Sequence, residues 1–169
     1  MAIRFEEDDV RPMGRPAYGV RGMDLEKKDH IVGMAVTSKE APAKSSKKKG
    51  AEDEEPPARM ILSVTEMGYG KRTDIDEYRM QSRGGKGVIN VKTATRNGMV
   101  SAIMLVNEDS EVMVISQFGK IIRMDTSGIR EAGRSTQGVR LLQMDGGDKV
   151  AAAVVIPPEE KDENGALIQ

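Results

Sequence analysis

The sequence predicts an all-β fold of propeller-like blades, each of about four antiparallel strands, present as an incomplete set of about two and a half. Three observations predict it. One phrase recurs three times, as Gly14-Arg15-Pro16-Ala17-Tyr18-Gly19-Val20-Arg21, Ser82-Arg83-Gly84-Gly85-Lys86-Gly87-Val88-Ile89 and Gly133-Arg134-Ser135-Thr136-Gln137-Gly138-Val139-Arg140. Its arginines, Arg15, Arg83 and Arg134, are spaced by 68 and 51 residues, and the larger gap contains a 17-residue excess beside a low-complexity stretch. The period is therefore about 50, which suits blades of short strands, and the apolar runs are too short for helical repeats of that length.

The elements follow in order. Residues 2–36 align without a gap with 121–155, with Ile3/Ile122, Arg4/Arg123, Arg11/Arg130, Arg15/Arg134, Gly19/Gly138, Val20/Val139, Arg21/Arg140 and Asp29/Asp148 identical. Met1 then matches Lys120, so the strand equivalent to Glu111–Ser116 has no counterpart, and residues 1–36 read as a partial blade. A chain that starts within a blade reads as part of a longer protein, and its unpaired strand edges predict self-association. Residues 37–59, including Lys44-Ser45-Ser46-Lys47-Lys48-Lys49-Gly50 and Glu52-Asp53-Glu54-Glu55-Pro56-Pro57, read as a disordered charged insert, because they hold too little apolar surface to repay ordering. Residues 60–110 read as a blade with strands at 60–64, 88–91 and 100–106, and 111–156 as another with strands at 112–115 and 150–156. Arg96-Asn97-Gly98, Asn107-Glu108-Asp109-Ser110 and Asp145-Gly146-Gly147-Asp148 supply hairpin turns. Pro157-Pro158 ends the last strand, leaving 157–169 as a polar acidic tail.

Composition narrows the function. With no Cys, the chain has no disulfide, thiolate metal site or thiol catalysis, and an intracellular setting is the simpler reading. No run of 18 apolar residues occurs, and Met1–Asp8 lacks the apolar centre of a secretion signal, so a cytoplasmic protein is expected. The net charge of −1 conceals a mild asymmetry: residues 60–155 carry 13 Lys/Arg against 11 Asp/Glu, while 156–169 carry 1 against 4.

The box-like motif Gln81-Ser82-Arg83-Gly84-Gly85-Lys86-Gly87 has two readings. Its glycines free the backbone so that N–H groups converge with Arg83 and Lys86 on a phosphate oxygen. Alternatively they form a tight turn between blades, and Arg83 caps neighbouring carbonyls. Accumulation favours binding, since Arg4, Arg15, Arg21, Lys71, Arg72, Arg83, Lys86, Lys120, Arg123, Arg134 and Arg140 hold similar positions in stacked units, which would align them into a stripe. Such a stripe suits sequence-independent contact with duplex phosphates, whereas 2 Phe, 3 Tyr and no Trp are too few for a single-strand stacking platform.

Candidates for catalysis are thin, and none is expected from this chain alone. His30 matches Lys149 and reads as a solvated turn position. Glu6-Glu7-Asp8-Asp9 keeps only one acid in its equivalent, Asp125-Thr126-Ser127-Gly128, and reads as a solvated face rather than a metal site. Tyr69, aligned with Phe118, reads as packing; Gly84-Gly85-Lys86-Gly87 lacks the spacing and hydroxyl of a nucleotide-binding loop; the 12 Met fill blade cores.

The phrases Gly68-Tyr69-Gly70-Lys71-Arg72-Thr73, Glu77-Tyr78-Arg79, Gln81–Ile89, Arg96-Asn97-Gly98 and Gly133–Arg140 together resemble the C-terminal half of the DNA-wrapping domain of the DNA gyrase A subunit, a bacterial type II topoisomerase. The resemblance runs through all of the chain read as ordered. It implies a β-pinwheel, a six-bladed disc whose blades exchange strands and whose basic rim bends DNA. It also implies three partners: duplex DNA, the rest of the gyrase A subunit, and the gyrase B subunit. ATP and Mg would lie on other parts of the holoenzyme, with no cofactor for this chain. Association with the bacterial nucleoid and a part in ATP-dependent negative supercoiling follow from the same resemblance. The motif at 81–87 departs from the family's Gln-Arg-Arg-Gly-Gly-x-Gly box at Ser82 and lies in a later blade. The alternatives are the equivalent domain of topoisomerase IV and a propeller-like protein-interaction scaffold that binds no DNA.

Overall fold

Seven strands carry the fold in the computed structural model, which describes residues 1–37 and 59–156: β1 (Met60–Thr65), β2 (Tyr69–Asp74), β3 (Val100–Val106), β4 (Glu111–Ser116), β5 (Ile121–Asp125), β6 (Val139–Arg140) and β7 (Val150–Ile156). They form a four-stranded antiparallel sheet, β3-β1-β2-β6, and a three-stranded one, β5-β4-β7. The remaining regular pieces among the described residues are single 3₁₀ turns at Glu7–Asp9, Ile75–Glu77 and Thr126–Gly128. The tail read at 157–169 and nearly all of the insert read at 37–59 lie outside the described residues.

The two sheets repeat one design. β1 pairs with β2 from Met60↔Asp74 to Val64↔Gly70, and β4 pairs with β5 from Glu111↔Asp125 to Ile115↔Ile121. Each central strand then takes a returning strand on its other edge, β3 on β1 and β7 on β4, and in both pairs the register shifts near the end, at Val64/Thr65 and at Ile115/Ser116. Leu62, Val64 and Val106 of one sheet meet Val112, Val114 and Val150 of the other in one core, closed by Ile129 and Leu142. Met60, Met104, Met124 and Met144 pack around it as thioethers filling a core, whereas Met1, Met34, Met80 and Met99 are exposed, so the methionines do not all fill blade cores as expected.

Three sequence expectations change. The run Val88–Val91 makes one bridge, Val88 to Ala2, and then turns inward, because Asn90 is drawn into a buried network with Ser63 and Tyr78. β2 is a full strand, which its composition Tyr-Gly-Lys-Arg-Thr-Asp concealed, because its long polar side chains are satisfied inside the protein. The turns before β2 and β5 place left-handed Gly68 opposite left-handed Gly119, so Tyr69 is equivalent to Lys120 and not to Phe118.

Strand exchange joins the repeats. β6 belongs by sequence to the third repeat but completes the second repeat's sheet through Tyr69↔Arg140 and Gly70↔Val139. One repeat earlier, the equivalent pair is the bridge Ala2↔Val88, and Arg4↔Met80 matches Arg72↔Glu131. Residues 1–37 thus dock by the same contacts without a sheet of their own.

Candidate nucleic-acid interface

The arginines of the recurring phrase have their first duty within the protein. Arg83 Nε donates to the carbonyl of Asp9 (2.8 Å), and its Nη1 to that of Arg21 (3.1 Å). Arg134 Nη1 donates to the carbonyl of Ile89 (3.0 Å), with Glu77 3.9 Å from its Nε. Ile89 follows Arg83 by the spacing at which Arg21 follows Arg15, so each phrase arginine grips the same place in the preceding repeat. A second series runs the other way. Arg4 Nη1 donates to the carbonyls of Ile75 (3.0 Å) and Tyr78 (3.4 Å), and Arg72 to those of Ile129 (2.8 Å) and Ser127 (3.3 Å). Both series satisfy carbonyls at 3₁₀ turns and loops that no strand reaches, a demand every buried turn must meet.

Lys71 is withdrawn furthest. It has no exposed surface, and its ammonium donates to the carbonyls of Gly133 (2.7 Å) and Arg134 (2.6 Å). Burial, aided by the nearby Arg134 charge and opposed by Glu77, pushes its pKa down to about 8. Arg72 is 8 % exposed. These two side chains offer a phosphate almost nothing, so their expected place in the stripe does not follow from where they lie.

The glycine motif is committed too. Gln81 N–H donates to the Arg4 carbonyl (2.9 Å) and Gly84 N–H to that of Gly22 (2.7 Å), and just beyond the motif Val88 N–H donates to that of Ala2 (2.7 Å), so these three amides join repeats. Lys86, in contrast, is exposed, and no hydrogen bond or ion pair engages it among the described residues; the same holds for Arg15. Arg21 pairs with Asp24 (3.6 Å), Lys120 with Asp145 (2.9 Å) and Arg123 with Glu111. Arg140 Nη2 donates to the hydroxyl of Tyr69 (3.2 Å), while the Arg96 guanidinium stands 4.8 Å from the centre of the same ring. The hydrogen bond from Arg140, with the charges of both arginines, holds the Tyr69 phenol below its ordinary range despite burial. Tyr69 is packing, as expected, and also the seat of a doubly cationic surface.

His30 is exposed and its N–H meets the Asp29 carboxylate, consistent with a solvated turn. Among the described residues no His, Cys, Asp and Glu cluster could hold a metal ion, and no helix is long and apolar enough to cross a membrane.

Three segments, residues 1–38, 59–107 and 110–157, match the sequence pattern of the DNA gyrase C-terminal domain, beta-propeller family. The chain belongs to this family. It is 40% identical over 162 residues to the DNA gyrase A subunit of Staphylococcus epidermidis (strain ATCC 12228 / FDA PCI 1200), and 42% identical over 146 residues to that of Lawsonia intracellularis (strain PHE/MN1-00). Those alignments cover 96% and 86% of this chain but only 16% of either relative. A solved DNA gyrase A C-terminal domain superposes with a TM-score of 0.74 at 25% identity, over 90% of this chain and 46% of that one. The C-terminal domain of DNA topoisomerase IV shares the fold at a TM-score of 0.75 and 22% identity, over 95% of this chain and 45% of that one.

In this gyrase-family chain the most regular exposed cations are ones the sequence reading left out of its stripe. Arg11, Arg79 and Arg130 hold one position in three successive repeats, each just after its 3₁₀ turn. All three are exposed, and no hydrogen bond or ion pair engages their side chains among the described residues. The signal was present, since Arg11/Arg130 is one of the identical pairs and Arg79 stands in the Glu77-Tyr78-Arg79 phrase; what was missing was the fate of the competing arginines.

Proposed function

We propose that the chain binds duplex DNA through its phosphates without regard to sequence and bends it along the line of successive repeats, as part of a gyrase A subunit. In this reading it is a bacterial, cytoplasmic, nucleoid-associated partner of the gyrase B subunit, joined to the rest of the gyrase A subunit. It supports ATP-dependent negative supercoiling whose cleavage and ATP chemistry lie on other parts of the holoenzyme. The observation that carries it is the free guanidinium recurring once per repeat at Arg11, Arg79 and Arg130. An arginine held neither by a carboxylate nor by a carbonyl keeps its donors for an outside anion, and its planar fork suits phosphate. Lys86, Arg15, Arg96 and Arg140 add positive charge at other exposed positions, whereas Lys71, Arg72, Arg83, Arg134 and Arg4 mainly hold the repeats together.

The test is the salt dependence of binding to plain duplexes of unrelated sequence. Each phosphate contact contributes about 0.9 to the slope of log affinity against log salt, so replacing Arg11, Arg79 and Arg130 by Ala should lower it by about 3, equally for every sequence. An unchanged slope in a folded triple variant rejects the reading. The scaffold alternative draws support from the internal pairing of Arg21, Lys120 and Arg123 with acids; it predicts no salt-dependent binding at all.

A further inference from the structure

One phenol and two guanidiniums meet at the junction of β2 and β6, inside the stack of repeats. Tyr69 and Arg140 are register partners across the two strands, and Arg140 Nη2 donates to the phenol oxygen at 3.2 Å. The guanidinium carbon of Arg96 lies 4.8 Å from the centre of the Tyr69 ring, and that of Arg140 5.7 Å. The tyrosine is buried, while both arginines are exposed. Arg96 is held there by its neighbour. Asn97 is fully buried, donates from Nδ2 to the carbonyls of Lys92 and Gln137 (3.2 Å each), and accepts the Ala94 N–H at Oδ1 (2.8 Å). Met67 N–H, from the turn before β2, donates to the Asn97 carbonyl (3.2 Å) and closes the clamp.

No acid balances the pair. Apart from Tyr69, neither a carbonyl nor a carboxylate engages either guanidinium among the described residues. Residues 78–107 and 132–144, which supply Arg96 and Arg140, contain no Asp or Glu. Glu66, the acid of the adjoining β1–β2 turn, is spent on Lys149 (3.1 Å) and on the Met99 N–H (3.2 Å). Two like charges gathered on one ring repel, and the face of the ring offsets that only in part. The lowered pKa of the Tyr69 phenol, caused first by the hydrogen bond from Arg140, registers the same field. Nor does the repeat require the arrangement. Arg83 and Arg134, like Arg4 and Arg72, recur where stacking needs them, whereas the positions of Tyr69, Arg96 and Arg140 hold Met1, Lys28 and Ile89 one repeat earlier.

We propose that Tyr69, Arg96 and Arg140 form a binding site for one phosphate group. Arg140 spends Nη2 on the phenol and keeps Nε and Nη1, while the fork of Arg96 is unspent by any carbonyl or carboxylate. The phenol oxygen, having accepted from Arg140, keeps its own proton to donate. Two guanidinium forks and a hydroxyl on one ring suit a tetrahedral oxyanion, whose charge also relieves the repulsion between them. Tyr69 is the positioning residue: buried and fixed by strand register, it holds two long side chains near one place before the anion arrives. That the phosphate belongs to a duplex backbone rests on the DNA-binding reading above; the site itself does not. In that reading it adds one contact, at the junction of the second and third repeats, to those of the recurring Arg11, Arg79 and Arg130.

Arginine Nε–H signals of the full chain, followed by NMR, test this. Inorganic phosphate and, separately, plain duplexes of unrelated sequence are added, with sodium chloride of equal ionic strength as the control. The Arg96 and Arg140 signals should move saturably with phosphate and not with chloride, while that of the buried Arg72 stays in place. Tyr69→Phe keeps the ring and removes the hydroxyl; it should weaken phosphate about threefold to tenfold with the wild-type circular dichroism spectrum. Duplex should move the same two signals, and Arg96→Gln combined with Arg140→Gln should lower the salt slope of duplex binding by about 2. Signals that move with phosphate but ignore duplex keep the site and assign it to a free phosphate-bearing ligand. A wild type with no affinity for duplex rejects the DNA-binding reading, and the phosphate arm then decides the site by itself. The proposal is overturned if neither probe moves Arg96 and Arg140, if chloride moves them equally, or if the double variant binds both probes as the wild type does. Should the double variant misfold, Tyr69→Phe carries the test, and unchanged phosphate affinity in it counts against the site.

Discussion

Arg83 reaches 62 residues back along the chain to the carbonyl of Arg21, at 3.1 Å, and the same reach one repeat later joins Arg134 to Ile89. Both contacts are to carbonyls; Arg83 has no carboxylate partner among the described residues, whereas Arg134 also has Glu77 3.9 Å from its Nε.

Arg83→Ala should therefore cost about 1–3 kcal/mol of stability, the range for hydrogen bonds to a charged group, while Lys86→Ala costs less than about 0.5. In DNA binding the order reverses: Lys86→Ala lowers the salt slope by about 1 and Arg83→Ala weakens binding chiefly through unfolding. Urea titration and duplex affinity on the same two variants check both halves.

The buried ammonium of Lys71 gives a pH signature. Its pKa falls from 10.5 in the unfolded chain to about 8 in the fold, so between those values the unfolded chain binds the extra proton and stability rises with pH. Lys71→Met should abolish that rise. Comparing urea midpoints of the two proteins from pH 7 to pH 10 measures it; parallel curves would show that Lys71 keeps its proton.

Tyr78 acts in the opposite direction at higher pH. Burial raises its phenol from 10.0 to about 12, so the unfolded chain ionises first and stability falls above pH 10. Tyr69 ionises early, held down first by the hydrogen bond from Arg140. Phenolate absorbance should then rise in separated steps, and Arg140→Ala should shift the earliest toward higher pH.

Gly138 and Gly84 both lie at positive φ, yet they should respond differently to a methyl group. At Gly138 the Cβ would stand 2.6 Å from the Gly70 carbonyl, against 3.6 Å from the Arg21 carbonyl at Gly84. Gly138→Ala should cost more than about 3 kcal/mol, combining backbone strain with a clash across the β2–β6 junction, and Gly84→Ala about 1–2. Thermal melting of the two variants decides it.

The sequence by itself determined the repeat, its period and the strands at β1, β3, β4 and β7, because Val/Ile-rich runs are local signals, but not the hairpins: the turns expected at 96–98, 107–110 and 145–148 join no paired strands, and the hairpins lie between β1 and β2 and between β4 and β5. It also placed the family, since the motifs of three repeats must all agree. Only the tertiary structure decided what each cation does. Lys71 and Arg72 read as surface charges on a polar stretch, yet that stretch is β2, and the carbonyls that bury them come from residues 127–134 of the next repeat. Arg83 reads as half of a phosphate loop, and Arg79 only as part of the Glu77-Tyr78-Arg79 phrase. Arg83 meets the carbonyls of Asp9 and Arg21, whereas no hydrogen bond or ion pair engages the Arg79 side chain among the described residues, a difference fixed by how neighbouring repeats stack and carried by no residue's own position in the chain.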